Sequence, residues 1–573
     1  MNLEEIRHSA SHVLAYAIKQ LYPDVKLGIG PAIEDGFYYD FDKLNIKEED
    51  LPKIEEAMKA IIKEDHKFQF KKITKKEAQK LFKDEPYKLE LLKDLNDGEI
   101  SIYESGDFID LCKGPHVNSM KDIKAVKLLS IAGAYWKGDS KNKMLTRIYG
   151  TAFDSEKELR KYLNMLEEAE KRNHNKIGKE LELFTIHNLV GKGLPIWLPR
   201  GEFIKREIEK LAVEMEDKAG YVRVTTPHLA KKELFLISGH LPHHEDTMYP
   251  KMKMDDGEYY LKAMNCPLHH IIFGNSIKSY RDMPVRIAEY GTVYRNELSG
   301  TLSGLLRVRM LSMNDAHIYC TKEQISKEIE DVISMIKDYY KIFGLKDYYF
   351  RLSLWSPENK TKYIDEPSNW EYTENELRNV LKKLKVKFIE AKDEAAFYGP
   401  KIDIQLKNVY GREETLSTIQ LDFAARTRFN LRYFDSNGNQ NNDVFVIHRA
   451  PLSTHERFLA FLIENYAGKF PLWLNPLQIK ILTITNSNVK YAKEIEKKLK
   501  ENNFRIELDD RDETISKKIV DSHKLLPNYM IIIGDKEQKN KTLAVRDRNN
   551  KTNYGIKIDK FIKDLSKEIE EKR

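Results

Sequence analysis

The sequence predicts an α+β multidomain chain, and three observations carry that prediction. Its 573 residues are enough for three or four domains of ordinary size. Its texture changes at a charged run near Glu156 and again after Pro471 and Pro476. Between these points the stretch Tyr294 to Cys320, YRNELSGTLSGLLRVRMLSMNDAHIYC, sets two apolar β-prone runs around a Gly-rich turn and reads as paired antiparallel strands.

Taken in order, Ile6 to Leu21 reads as a helix stopped by Pro23, and Gly28 to Phe41 as turns and strands, opening a mixed α+β domain that runs to about Ala152. Glu156 to Lys179 is a charged helical run carrying Leu159, Leu163 and Leu166, a connector. A new unit starts at Gly193. There Ile204, Ile208, Leu211 and Met215 form one apolar helix stripe, Gly220 ends the helix, and the next strand carries Pro227. In the Tyr294 to Cys320 stretch, strands ending at Tyr294 and starting near Leu305 would put Arg295, Arg307 and Arg309 on one face, joined by a mobile loop. Toward the C-terminus, Ile479 to Thr485, Arg505 to Leu508 and Tyr529 to Ile533 read as strands. Tyr491 to Glu501, Ile515 to Leu525 and Ile558 to Glu570 read as helices, giving a small α/β domain with a largely parallel sheet.

Composition narrows the class. Charged residues make up 32% and the net charge is +6, which permits a nucleic-acid partner without demanding one. The cysteines Cys112, Cys266 and Cys320 are too few and too scattered for a disulfide framework and fit a reducing compartment. No Arg-flanked apolar segment opens the chain and no apolar run reaches about 18 residues, so no membrane partner is expected and the cytoplasm is the default location.

Several clusters carry chemistry. Arg295, Glu297, Arg307, Arg309, Asp315 and His317 suit a polyanion, and a metal beside it, because guanidiniums fork onto phosphate and carboxylate; the bland reading is a solvated hairpin. His8 and His12, at i and i+4, share a helix face, and Cys112 and His116 lie in FIDLCKGPHV. By spacing alone this HxxxH with CxxxH is more commonly a zinc site. His240, His243 and His244 in GHLPHHED also look like ligands but read as a mobile loop.

The Tyr294 to Cys320 segment resembles the second signature motif of class II aminoacyl-tRNA synthetases. His448-Arg449-Ala450-Pro451-Leu452-Ser453-Thr454-His455-Glu456-Arg457-Phe458 resembles the third, and Pro227 sits where the first is expected. With Met264-Asn265-Cys266-Pro267, Asn314-Asp315-Ala316-His317, Phe397-Tyr398-Gly399-Pro400-Lys401, HSASH and DLCKGPH, nearly the whole chain is similar to the threonyl-tRNA synthetase family. The resemblance implies an editing domain over 1–155, a helical connector over 156–179, an antiparallel-sheet catalytic domain over 180–472 and an anticodon-binding domain over 473–573. A small ubiquitin-like domain usually precedes HSASH in the family. It is expected to be missing, since Met1 lies seven residues before His8.

The resemblance further implies a homodimer, with helix and strand of the first motif at its interface, that joins threonine to tRNA(Thr) with ATP and hydrolyses mischarged seryl-tRNA(Thr). Cys266, His317 and His448 fall on zinc-ligand positions, one ion per subunit, an open set for the threonine amino and hydroxyl groups. Asp315, Tyr398, Lys401 and Gln420 fall on threonine-binding positions. Arg295, Glu297, Arg307 and Arg457 fall on ATP positions, with magnesium expected on the triphosphate; Arg295, Arg457, Lys401 and Gln420 are the catalytic set. Editing is assigned to His8, His12, Lys88, Tyr103, Asp110, Cys112 and His116, acting on water without metal. Anticodon reading is assigned to Arg511, Lys536, Glu537 and Arg546, against the alternative that GDKE is a polar turn. Met313, Leu311 and Ser453 depart from the Gln, Phe and Gly common in the family. Two other classes stay open: a zinc-dependent hydrolase centred on the N-terminal cluster, and a synthetase-like paralogue that binds amino acid or RNA for regulation.

Overall fold

The computed structural model describes residues 2–139, 141–243 and 245–572. The chain divides between Glu167 and Glu168 into two compact units.

In the first unit, helix Leu3–Leu21 starts where the Asn2 side chain accepts from the Glu4 N–H at 3.1 Å, a cap worth about 1 kcal/mol. Its side chains from Ile6 to Ile18 are almost all buried. They pack on helix Leu51–Glu64 and on the antiparallel strands Gly36–Asp42, Ala125–Tyr135 and Met144–Phe153. A separate three-stranded sheet contains Ser101–Ser105 and Phe108–Leu111. The expected single connector helix is two helices, Glu156–Lys171 and His174–Glu180. Asn173 breaks the run, because its side chain accepts from the Asn175 N–H at 2.9 Å and caps the second helix.

The second unit holds an eight-stranded sheet ordered Val222–Arg223, Val285–Tyr294, Met310–Cys320, Phe445–Ala450, Glu413–Asp422, Lys401–Lys407, Tyr349–Ser353, Phe388–Ala391. Every pairing from Val285–Tyr294 through Tyr349–Ser353 is antiparallel. Helix Pro199–Lys218 buries Ile204, Ile208 and Leu211 of the predicted stripe, while Met215 is only half-buried, and Gly220 follows the helix with φ +77°. Pro227 lies beyond the short strand Val222–Arg223, not within it, which suits a residue lacking a ladder donor. Buried Arg449 donates to Glu216 at 2.8 Å and fastens that helix to the sheet.

The second strand of the central hairpin begins at Met310, five residues later than expected. Arg295, Arg307 and Arg309 therefore belong to the connecting loop and do not alternate along strands. The loop is folded on itself: Arg295 N–H donates to Arg309 O at 2.9 Å and Arg309 Nε to Glu297 O at 2.9 Å.

The C-terminal sheet runs Ile506–Asp509, Ile479–Thr483, Tyr529–Ile533, Leu543–Asp547, Thr552–Ile556. Its first three strands are parallel, but the last two add as an antiparallel hairpin, so the sheet is mixed and not largely parallel. The sequence reading stopped at Ile533 and missed that hairpin. Arg505 ties this sheet to helix Pro199–Lys218, donating to Asn475 O at 2.8 Å and covering the Phe203 ring at 4.2 Å.

Candidate functional site

The large sheet arranges its chemistry as one transverse row. His317 is the cross-strand partner of His448, His448 of Gln420, and Gln420 of Lys401. Direct partners share a face, and the period of two adds Leu311, Met313 and Asp315 to the His317 side. Cys266 enters from the first turn of helix Cys266–Gly274. The ligand atoms of Cys266, His317 and His448 lie within 4.8 Å of one another and all three residues are buried. A buried thiol and two buried imidazoles gathered from three segments suit a zinc ion.

Buried carboxylates orient the imidazoles. His448 Nε2 stands 3.1 Å from Asp422 Oδ2. His317 Nδ1 meets His269 Nδ1 at 2.8 Å, and His269 Nε2 meets Glu289 Oε2 at 3.1 Å. Burial pushes the Glu289 carboxyl up, but hydrogen bonds from His269 and Thr226 and the Lys262 charge outweigh it and hold the group at about 2. The carboxylate then accepts from His269 Nε2–H, leaves His269 Nδ1 to accept from His317 Nδ1–H, and so frees His317 Nε2 as a ligand. The sequence reading missed His269, Glu289 and Asp422. The spacing Cys266, His269, His270 on one helix was the available signal for the first.

Asp315 takes a hydrogen bond from Asn265 Nδ2 at 3.2 Å, and burial raises its carboxyl above the ordinary value. Tyr398 stacks on His448 at 5.2 Å between ring centroids, and its hydroxyl donates to Gln420 Oε1. Lys401 pairs with Asp403 at 3.0 Å, beside Arg351 and Thr418. His240 is not part of an outer loop. It is buried, with Ser238 Oγ at 2.7 Å and Met264 Sδ at 3.0 Å; His244 lies outside the described residues.

Next to this row is a cavity of about 230 Å³ lined by Arg295, Glu297, Arg307, Leu311, Met313, Gln420, Ser453 and Arg457. Arg307 Nε donates to Glu297 at 2.9 Å and Arg457 Nε to Leu306 O at 3.2 Å. Burial lowers the affinity of the Arg295 guanidinium for its proton; Glu297 opposes this and Arg457 adds to it. Arg309 is directed elsewhere, toward Lys192 O. Ser453 sits at φ 54°, the left-handed region that a glycine adopts without cost. Ser453→Gly is therefore expected to raise thermal stability by about 0.5–1 kcal/mol, measured by calorimetry. An unchanged or lower melting point would mean that the serine side chain repays its backbone strain.

In the N-terminal unit Cys112 Sγ lies 3.3 Å from His8 Nε2 and 3.3 Å from His116 Nε2, and the four donors of His8, His12, Cys112 and His116 fall within 4.8 Å. Their tautomers follow from the outer bonds. His8 Nδ1 donates to Pro115 O at 3.1 Å. Ser9 Oγ donates to Glu5 O at 2.8 Å, so at 3.1 Å it accepts from His116 Nδ1–H. Both Nε2 lone pairs then converge on Cys112, whose thiol burial pushes up to about 11. Burial also lowers His8 and His12, the latter strongly, and both stay neutral near pH 7. Asp110 faces His12 Nε2 at 3.8 Å, pairs with Lys88 and accepts from Tyr39 at 2.6 Å. Tyr103 meets the edge of His116 at 4.3 Å. All the editing residues expected from sequence thus come together; Tyr39 and Phe68, stacked on His116 at 4.9 Å, join them.

In the C-terminal sheet Arg546 donates to Asn550 at 2.9 Å, while Arg511 is clamped by Asp509 at 2.7 Å and Asp521 at 3.1 Å. Lys536 is exposed, and Glu537 accepts from the Gly534 N–H at 3.1 Å.

Residues 250–466 match the tRNA synthetase class II core domain (G, H, P, S and T), residues 478–568 an anticodon binding domain, and residues 100–149 the threonyl and alanyl tRNA synthetase second additional domain. Fold and site together define a class II aminoacyl-tRNA synthetase. Threonine–tRNA ligase of Oceanobacillus iheyensis is 47% identical over 100% of this chain and 89% of its own length, and that of Staphylococcus carnosus 48% identical over 100% and 89%. The crystal structure of the RNA binding domain of threonyl-tRNA synthetase from Cryptosporidium parvum superposes with a TM-score of 0.65 at 34% identity, covering 69% of this chain and 98% of that one. The chain belongs to the threonine–tRNA ligase family.

Proposed function

We propose that the protein activates threonine with ATP, releases pyrophosphate, transfers the threonyl group to tRNA(Thr) and hydrolyses seryl-tRNA(Thr). The observation that carries this reading is the adjacency of the Cys266, His317, His448 and Asp315 cluster to a cavity walled by Arg295, Arg307 and Arg457. Activation forms no obligatory covalent enzyme intermediate, so positioning and charge stabilisation must supply the rate. Arg295 would bridge the threonine carboxylate and the α-phosphate. Glu297 would accept from the adenine amino group, and Arg307 and Arg457 would hold the γ-phosphate, with magnesium on the triphosphate. That division requires Arg307 to release Glu297 when ATP arrives. Leu311 and Met313 offer apolar contact to the base and no hydrogen bond.

Cys266, His317 and His448 would hold one zinc ion per subunit, which when bound supplies a Lewis-acidic docking point for an amino group and a hydroxyl. Asp315 would accept the substrate's β-hydroxyl proton. Valine denies that buried carboxylate the hydroxyl's hydrogen bond, a far larger penalty than a missing methyl. Gln420, held by Tyr398, and Lys401 would line the threonine side of the pocket. Serine satisfies the same contacts and loses only about 1–3 kcal/mol with its methyl, which is the demand a second, hydrolytic site answers.

In that site neutral His8 or His12 would accept a proton from water, and Lys88, paired with Asp110, would orient the ester. The convergence of four possible ligands supports a metal-dependent version of the same hydrolysis, which chelator treatment of the deacylation reaction separates. Aminoacylation of tRNA(Thr) with threonine, valine and serine, with and without chelator, tests the whole reading. Stable threonyl-tRNA only, lost on chelation, is expected; no charging at all would favour a regulatory paralogue.

Arg511, Lys536, Glu537 and Arg546 would contact single-stranded anticodon bases. Arg546→Ala is expected to raise the KM for tRNA about tenfold, a loss of about 1.4 kcal/mol, and to leave ATP–pyrophosphate exchange unchanged; the reverse pattern would place Arg546 elsewhere. A homodimer fits the exposed edge strand Val222–Arg223, where Val222 is 57% exposed, and sedimentation at several concentrations checks it. Among the described residues no helix is long and apolar enough to cross a membrane, in keeping with the cytoplasmic location we assign.

A further inference from the structure

We propose that His270, Asp422 and His448 form a second divalent-cation site that shares His448 with the Cys266, His317 and His448 set. The ligand atoms of the three residues lie within 4.8 Å of one another and all are buried. Asp422 is prepared for the role. Its Oδ1 is filled by the Ala424 and Ala425 N–H groups at 2.7 and 2.9 Å, which fixes the carboxylate and turns Oδ2 toward His448 Nε2 at 3.1 Å. His270 is held at Nδ1 by the Tyr319 hydroxyl at 2.9 Å. A phenol oxygen accepts as well as donates, so Nδ1–H can point at Tyr319 and leave Nε2 as the ligand atom.

Space agrees with chemistry. A cavity of about 20 Å³ is bounded by Cys266, His270, Asp422 and His448, room for a single water or ion. Arg428 also borders it, but its guanidinium donates to Ser238 O at 2.6 Å and lies over the Phe397 ring. Two imidazoles and a carboxylate without sulfur suit borderline divalent ions such as Co²⁺, Ni²⁺ or Zn²⁺. His270 and Asp422 belong to this site alone, and His448 is shared, offering Nε2 on the Asp422 side, so the site does not require the thiolate set to be filled.

Cobalt distinguishes the two sets, because only thiolate ligation gives sulfur-to-metal charge-transfer absorption. Full-length protein stripped of metal is titrated with Co²⁺. The Cys266→Ser variant is expected to bind one ion with d–d bands and no charge-transfer band. Adding His270→Leu to that background should weaken binding about tenfold or more, while His270→Leu alone keeps the charge-transfer band. Asp422→Asn in the Cys266→Ser background repeats the comparison should His270→Leu perturb folding, which circular dichroism monitors. Absence of cobalt binding by Cys266→Ser, or binding insensitive to both His270→Leu and Asp422→Asn, overturns the proposal. A parent protein without a charge-transfer band would instead count against the Cys266 set, and leaves the result for His270 and Asp422 to be read separately.

Discussion

Cys266→Ala is expected to abolish threonine-dependent ATP–pyrophosphate exchange. The substitution takes the sulfur from a buried set in which Asp422 orients His448 directly and Glu289 orients His317 through His269. The remaining His317 and His448 cannot close a tetrahedral zinc site with one open place. Loss of the docking point for threonine's amino and hydroxyl groups removes substrate orientation as well as affinity, and orientation alone is worth several orders of magnitude. The predicted fall is at least about 10³-fold, with ATP binding expected to be retained, because Arg307 and Arg457 are positioned by Glu297 and the Leu306 carbonyl and not by Cys266. Exchange within about tenfold of the parent, with metal content at background, would sink the zinc assignment.

The double substitution His8→Ala/His12→Ala should lower the rate of seryl-tRNA(Thr) hydrolysis by about 10²- to 10⁴-fold, the usual worth of a positioned base. Threonine activation should be unchanged, since the editing residues lie within the N-terminal compact unit. A pH profile adds a signature of the environment. Burial lowers the pKa of both histidines, so each remains neutral, and able to accept a proton, below the ordinary value of about 6.5. The parent's hydrolysis rate should therefore hold as pH falls through that value and decline only further down. A midpoint near 6.5, or a parent-like rate in the double variant, would contradict the assignment.

Local signals exposed several of the helices and strands of this chain. The apolar stripe Ile204, Ile208, Leu211, with Gly220 as its stop, located helix Pro199–Lys218 without outside help. Failures occurred where a side chain or distant strand overruled local pattern. Asn173 caps a new helix inside an unbroken charged run, and Leu305 to Arg309 look like strand but are held in a loop by Glu297 and Arg457. The Cys266, His317 and His448 cluster was legible only through family resemblance, because the three come from segments that spacing cannot relate. Asp422, Glu289 and His269 were harder still: their value depends on a hydrogen bond made by the far side of another residue's ring. Editing residues were easier, since HxxxH on a helix places its own members.

The transverse row His317, His448, Gln420, Lys401 ties chemistry to assembly. Each member comes from a different strand, and a one-residue slip of any strand would turn its contribution to the opposite face of the sheet. Misfolded or incompletely paired molecules would therefore be silent in catalysis, not merely sluggish. In any cobalt-loaded preparation the turnover number per mole of thiolate-bound ion should stay constant while the active fraction varies, so that the sulfur charge-transfer band serves as a count of correctly registered sheets.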